Sequence, residues 1–278
     1  MKILVTGYPG LLTNDLVPIL QEDHQVIPLS IEDLDITRKG DVFKTIENHL
    51  PDAVINCAGY TAVDQAEKDW EGAFQANALG AHHLALACRH FESILCQIST
   101  DYVFDGRINR PYQPWDSPNP INVYGASKLA GEFIVEKLLN RFYIVRLSSL
   151  YGKNGNNFVN TILNQAERGE PVVGVIDQIM SPTWSVNFSR GLVQILASGN
   201  FGFYHLTDRT DGGISWFDFA KAILKTRGLK REIRPITSKN LDRPAPRPPY
   251  SVLDTRYLTL ATGYHPLHYQ EALEQFLK

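Results

Sequence analysis

The stretch Ile3-Leu4-Val5-Thr6-Gly7-Tyr8-Pro9-Gly10-Leu11-Leu12 decides the fold. Its apolar run is short enough for a buried strand, and Thr6-Gly7 ends it. Leu11, Leu12, Leu16 and Leu20 then recur at helical spacing. The reading is strand, glycine turn, helix. Such a turn lets a backbone come close to a pyrophosphate, and the free N–H groups and dipole at the helix start favour negative charge. Gly7, Gly10, Leu11 and Leu12 are therefore candidate cofactor contacts.

The alternation continues downstream. Gln25–Leu29 reads as a second strand, residues 39–50 as a helix, and Ala53-Val54-Ile55-Asn56-Cys57-Ala58-Gly59 as a buried strand whose small end, Ala58-Gly59, suits close passage of a dinucleotide. A helix follows from Glu71 to His90, then a strand from Ile94 to Ile98, and after a proline-rich loop the strand Phe142–Leu147. This β-α-β-α order predicts an α/β protein with a doubly wound, mostly parallel sheet of the Rossmann type. Residues 1–150 are expected to bind NAD(P), and 151–278 to form a smaller, interleaved substrate region that returns elements to the first.

Chemistry concentrates at Asn122-Val123-Tyr124-Gly125-Ala126-Ser127-Lys128. Tyrosine and lysine four residues apart stand on one helix face, where the ammonium is expected to lower the phenol's pKa. A hydroxyl at the end of the preceding strand, Thr100 or Ser99, is placed to bond the same substrate oxygen. That trio suits carbonyl reduction or its reverse. Tyr-x-x-x-Lys alone recurs by chance, and only the N-terminal strand-turn-helix gives it weight.

Composition removes other classes. A net charge of -3 supplies no positive field for nucleic acid or an anionic membrane. Cys57, Cys88 and Cys96 are odd in number and lack a C-x-x-C pair, against a disulfide framework or zinc cluster and in keeping with a reducing cytosol. No leader precedes the strand at Lys2, and every long apolar run is interrupted before ~18 residues, so a cytoplasmic protein without a membrane partner is expected. His82 and His83 are adjacent and cannot form an i, i+4 metal pair.

The N-terminal turn resembles the T-G-x-x-G-x-x-G fingerprint of extended short-chain dehydrogenases/reductases, with Thr13 at the third glycine, where a slightly displaced helix is expected. The blocks S-T-D-Y-V-F-D-G from Ser99, N-V-Y-G-A-S-K-L-A-G-E from Asn122, G-N-N-F-V from Gly155, D-Q-I-M-S-P-T from Asp177 and S-V-L-D-T from Ser251 resemble the dTDP-4-dehydrorhamnose reductase family over nearly the whole chain. The resemblance implies reduction, by NADPH or NADH, of the C4 ketone of a nucleotide-linked 6-deoxyhexose, in dTDP-rhamnose and cell-surface polysaccharide biosynthesis. It implies that Tyr124 gives the proton, that Lys128 assists it and binds the nicotinamide ribose, and that Thr100 bonds the C4 oxygen. It places Tyr60 and Val63 in a loop between cofactor and sugar, Asn77 near the cofactor, and Asp101, Ser149 and Asn157 on the substrate side. Asp35-Ile36 matches a pair near adenine, or Asp35 caps the helix from Lys39; both readings stay open. Ser30 replaces the acidic residue at the end of the second strand, leaving NADH against NADPH open.

Two departures bear on the sugar. Ser149 stands where the family has a tryptophan, and Met180 where it has a glycine, a bulky side chain expected to fill part of the opening. Asn156 is read as the N-cap of a helix through Val159, Ile162 and Leu163. Arg243-Pro244-Ala245-Pro246-Arg247-Pro248-Pro249, stiffened by proline, suits a nucleotide diphosphate, with Arg247 or Arg243 touching it. Some relatives are bridged by Mg2+ at a dimer contact, and Asp15 matches one such carboxylate; one carboxylate makes no site, so no metal is expected and a homodimer stays open. The alternatives are a dinucleotide-binding regulatory subunit on the same fold and a nucleotide-sugar reductase or epimerase of other specificity.

Overall fold

The computed structural model describes residues 1–278. The first half runs β1 (Lys2–Thr6), α1 (Thr13–Gln21), β2 (Gln25–Leu29), α2 (Lys39–His49), β3 (Ala53–Asn56), α3 (Val63–Ala66), α4 (Trp70–Phe74), α5 (Gly80–His90), β4 (Ile94–Thr100), α6 (Val123–Leu138) and β5 (Phe142–Leu147). The second half adds β6 (Leu150–Tyr151), α7 (Phe158–Glu167), β7 (Val172–Val175), β8 (Ile179–Met180), β9 (Thr183–Trp184), α8 (Ser185–Ser198) and β10 (Gly202–His205). It ends with β11 (Ile214–Ser215), α9 (Trp216–Thr226), β12 (Ile233–Ile236), α10 (Arg256–Thr262) and α11 (Tyr269–Phe276).

The main sheet has six parallel strands in the order β10-β5-β4-β3-β1-β2. The chain steps from β1 outward to β2 and then to β3 on the other flank of β1, so the topological switch lies between β1 and β3. Ligands in such sheets gather at the strands' carboxyl ends at that switch. Successive residues explain why both faces are covered: Ile3 and Val5 enter a core with Leu16, Leu20, Phe188 and Leu192, whereas Leu4 between them joins Val42, Ile46, Leu84 and Val135. A third core, with Val159, Phe219, Ile223 and Leu273, belongs to α7, α9 and α11. No helix is long and apolar enough to cross a membrane.

The helix expected from Glu71 to His90 is interrupted. α4 and α5 are joined through one π-helical turn, Gln75–Leu79, centred on Asn77. The cause is local: Asn77 is held on three hydrogen bonds, described below, and Gly80 presses on Ile36 so closely that a Cβ there would lie 2.6 Å from Ile36 Cδ1. Met180 also departs from expectation. It is 2 % exposed, pairs with Ile214 and lies in the third core, so it does not reach any opening.

Candidate active site

The turn after β1 is built for close approach. Gly7 has φ +78°, and a Cβ on it would lie 2.7 Å from Ala58 N, so Gly7 and Ala58 wall one cleft between them. At the third glycine's place the buried Thr13 hydroxyl donates to Gly7 O at 3.1 Å and Gly10 O at 3.4 Å, filling the position with turn contacts. Leu12 at the N-cap offers no side-chain acceptor, so α1 starts without a side-chain cap. The cleft, about 410 Å³, continues past Leu11, Gly59 and Ser99 to Tyr124 and Lys128. Ser99 Oγ there is buried and has no partner in the protein. A glycine cradle, an uncapped helix start and an unpaired hydroxyl fit a nicotinamide dinucleotide.

At the end of β2 the Ser30 hydroxyl donates to Asp33 Oδ2 at 2.8 Å, and Ser30 N to the same oxygen at 2.9 Å. A carboxylate thus returns to the place the sequence left without one; the Ser-x-x-Asp spacing was the signal. Asp35 does not cap α2, whose N-cap is Arg38. It accepts from Thr37 N and Thr37 Oγ1 at 2.9 and 2.7 Å instead. Ile36 is 3 % exposed and belongs to the core, leaving its carbonyl against His83 Nδ1 at 3.0 Å.

Asn77 ties three elements together. Its Oδ1 accepts from Tyr60 N at 2.9 Å, and its Nδ2 donates to Tyr60 O at 3.0 Å and Ser127 Oγ at 2.9 Å. The loop after Gly59 is thereby fixed against α6, one residue before Lys128. Ser127 was not singled out by spacing, because it stands inside a pattern read for its tyrosine and lysine.

Tyr124 lies in the first turn of α6 and Lys128 one turn on. The ammonium does not face the phenol as spacing suggested: Lys128 Nζ donates to Ile98 O at 2.6 Å, drawn under the β4 backbone. Burial lowers the lysine pKa to about 8, against the pull of Glu132. Burial raises the Tyr124 pKa, and the Thr100 hydroxyl beside it works in the opposite direction. A phenol so placed stays protonated at neutral pH, ready to donate.

Asp101 stands behind this pair. Its carboxylate, 3 % exposed, accepts from Thr100 Oγ1 at 3.1 Å and Ser148 Oγ at 2.8 Å. Desolvation lifts its pKa to about 6. Asp101 was expected to contact substrate; enclosed by hydroxyls, it holds Thr100 instead. The start of α6 is equally braced, with Gly125 N donating to Asn122 Oδ1 at 2.7 Å and Val123 N to Glu67 Oε1 at 2.9 Å.

A second cavity, about 390 Å³, lies beyond Tyr102, whose ring meets that of Tyr124 edge-on at 5.9 Å. Phe158, Trp216 and Ile236 give it an apolar end, and Arg243, Arg247 and Asp64 a charged mouth. Arg247 pairs with Asp64 through two bonds of 2.5 and 2.6 Å, holding the Asp64 carboxyl below its ordinary range. Val63 precedes Asp64 at the start of α3. Asn157, not Asn156, caps α7, its Oδ1 accepting from Asn160 N at 3.1 Å while Nδ2 donates to Gly152 O at 2.9 Å. Ser149 sits at φ +49° with its hydroxyl 3.4 Å from Ser148 Oγ. Asp15 accepts the Ser185 hydroxyl. A larger surface depression of about 620 Å³ between α9 and α11 carries none of these groups.

A parallel switch-point cleft, a glycine turn before an uncapped helix, Tyr124 and Lys128 at its inner end and the Thr100 hydroxyl beside the phenol define a nicotinamide-dependent oxidoreductase of the extended short-chain dehydrogenase/reductase class. The family described as RmlD substrate binding domain matches residues 1–278. The chain is 39 % identical over 281 residues to a dTDP-4-dehydrorhamnose reductase of Streptomyces griseus, covering 98 % of this chain and 91 % of that one. It is 36 % identical over 278 residues to the spore coat polysaccharide biosynthesis protein SpsK of Bacillus subtilis (strain 168), covering 100 % and 97 %. The crystal structure of dTDP-4-dehydrorhamnose reductase from Bacillus anthracis str. Ames in complex with NADP superposes with a TM-score of 0.95 at 37 % identity, covering 99 % and 98 %. This chain belongs to the dTDP-4-dehydrorhamnose reductase family.

Proposed function

We propose that this chain reduces the C4 ketone of a dTDP-4-dehydro-6-deoxyhexose, with dTDP-4-dehydro-L-rhamnose as the leading substrate and NADPH or NADH as reductant. The observation that carries the reading is the position of Tyr124, which lines a cleft suited to a dinucleotide and meets edge-on the ring of Tyr102, which lines a second cavity with an apolar end and an arginine mouth. A reduced nicotinamide, when bound, supplies a hydride to the ketone carbon. Thr100 turns its one hydroxyl proton from Asp101 to the carbonyl oxygen and orients it, while Tyr102 N stays bonded to Thr100 Oγ1 and Ser148 to Asp101. As negative charge develops on that oxygen, Tyr124 gives up its phenolic proton to it, yielding the alcohol; solvent then returns a proton to the phenolate. Lys128 contributes positive charge beneath the cleft.

At the second cavity the base would rest against Phe158 and Trp216 while Arg243 and Arg247 meet the diphosphate. Purified protein mixed with NADPH and dTDP-4-dehydrorhamnose should consume NADPH absorbance stoichiometrically with the sugar. Absence of oxidation with this sugar and with other dTDP-4-keto-6-deoxyhexoses would sink the reading.

A further inference from the structure

Four charged or polar groups face one another at the mouth of the second cavity: Arg243, Arg247, Asp64 and the Tyr102 hydroxyl. Their arrangement is asymmetric. Arg247 is 11 % exposed at its side chain and forms a two-pronged pair with Asp64, whereas Asp64 remains 40 % exposed. Arg243, on the same mouth, has no carboxylate within ion-pair distance. Two guanidinium groups therefore share one carboxylate, and the mouth keeps one unneutralised positive charge.

We propose that Asp64 is an internal competitor of the substrate's diphosphate for Arg247. It holds that guanidinium while the cavity is free of nucleotide, yields it to the incoming diphosphate, and takes it back as product leaves. The proposal rests on the nucleotide-sugar reading given above. A carboxylate open to water holds its partner weakly, because solvent and ions compete for it, while a diphosphate offers higher charge and paired acceptors to the same planar fork.

The loop that carries Arg247 does not depend on Asp64 alone. Ala245 N donates to Asp64 Oδ1 at 3.2 Å, but Asn122 Nδ2 donates to Pro246 O at 2.9 Å, tying the loop to the N-cap of the catalytic helix. Arg247 Nη1 also donates to Ala245 O at 2.6 Å, which fixes the guanidinium within its own loop. When Asp64 swings away, Arg247 therefore stays presented to the cavity.

Asp64→Asn removes the charge while keeping an acceptor for Ala245 N. In the full-length protein saturated with NADPH, titration calorimetry with thymidine diphosphate should show about fivefold tighter binding in the variant, the scale of a partly exposed ion pair. Affinity for NADPH should not change. Asp64→Ser should move thymidine diphosphate affinity in the same direction, and adding Arg247→Gln to Asp64→Asn should cancel the gain. A pair that merely braces the loop predicts the opposite sign: unchanged or weaker thymidine diphosphate binding in Asp64→Asn overturns the proposal, as does a gain that survives loss of Arg247. If neither wild type nor variant binds thymidine diphosphate while both bind NADPH, the nucleotide-sugar reading falls first and the proposal with it.

Discussion

Two arginine–carboxylate pairs flank helix α6, with the same two-pronged geometry and opposite surroundings. Below the helix, Arg146 bonds Glu132 at 2.9 and 2.6 Å, donates to Pro114 O at 3.1 Å, and lies 5.0 and 5.1 Å from the Phe104 and Phe203 rings. Its remaining neighbour, His205, donates from Nδ1 to Tyr112 O and is thereby left with an acceptor nitrogen 3.4 Å from Arg146 Nη1. Both side chains are nearly sealed, at 3 % and 1 % exposure. At the N-terminal end, Arg247–Asp64 leaves its acid in water. Enclosure turns the first into a fixed strut, since neither partner can leave without stranding a charge. Hydration makes the second exchangeable.

The largest expected effect tests the phenol carried by the same helix as Glu132. Tyr124→Phe should reduce turnover by about 10²- to 10⁴-fold while leaving NADPH affinity and the melting temperature nearly intact, because it removes a proton and little packing. Rapid-mixing kinetics alongside a thermal melt checks both; unchanged turnover would remove Tyr124 from its role.

Glu132→Gln should instead strike folding, leaving the Arg146 guanidinium buried and under-compensated at a cost of about 3–5 kcal/mol. Urea unfolding measures it, and a loss near zero would erase the distinction between the two pairs.

A third kind of carboxylate sharpens the contrast. Asp208 is 1 % exposed and has no cation at all, accepting from Asn187 Nδ2 at 2.6 Å, Trp184 N at 3.0 Å and the Tyr151 hydroxyl at 3.2 Å. Desolvation pushes its pKa from 3.8 up to about 7. The folded chain then keeps a proton that the unfolded chain has released, so this contribution to stability is whole below about pH 4 and is lost as pH rises through about 7. Asp208→Asn should flatten that part of the stability–pH curve by on the order of 1–3 kcal/mol, seen in denaturant titrations across the window.

The smallest effect belongs to the exposed pair itself. Asp64→Asn should change unfolding free energy by less than about 1 kcal/mol. A larger loss would make Arg247–Asp64 a strut like its counterpart.

Much of the scaffold was legible because it is written in local pattern. The β1 run, the glycine turn and the i, i+4 tyrosine and lysine need only neighbours in sequence to be read. What sequence could not supply was direction. Spacing put Lys128 on the face of Tyr124, yet its amine turned toward the Ile98 carbonyl, because a buried ammonium must find an acceptor. The resemblance put Asp101 on the substrate side, but it is buried and accepts from Ser148, just past the end of β5. That partner is separated from Asp101 by 47 residues, beyond any periodicity. Met180 was judged by its size alone and lay in a core that only the pairing of β8 with β11 reveals.

The bond from Asn122 Nδ2 to the Pro246 carbonyl has an architectural consequence. The N-cap of the helix that carries Tyr124 is fastened to a loop 124 residues further along the chain, so the dinucleotide half is not a self-sufficient catalytic module. A chimera that keeps residues 1–150 and borrows its carboxyl-terminal segment from another fold member would inherit a cofactor cleft whose phenol sits on a loosened helix start. Transplanting substrate preference thus requires carrying the Pro246 loop along with the sugar-facing loops.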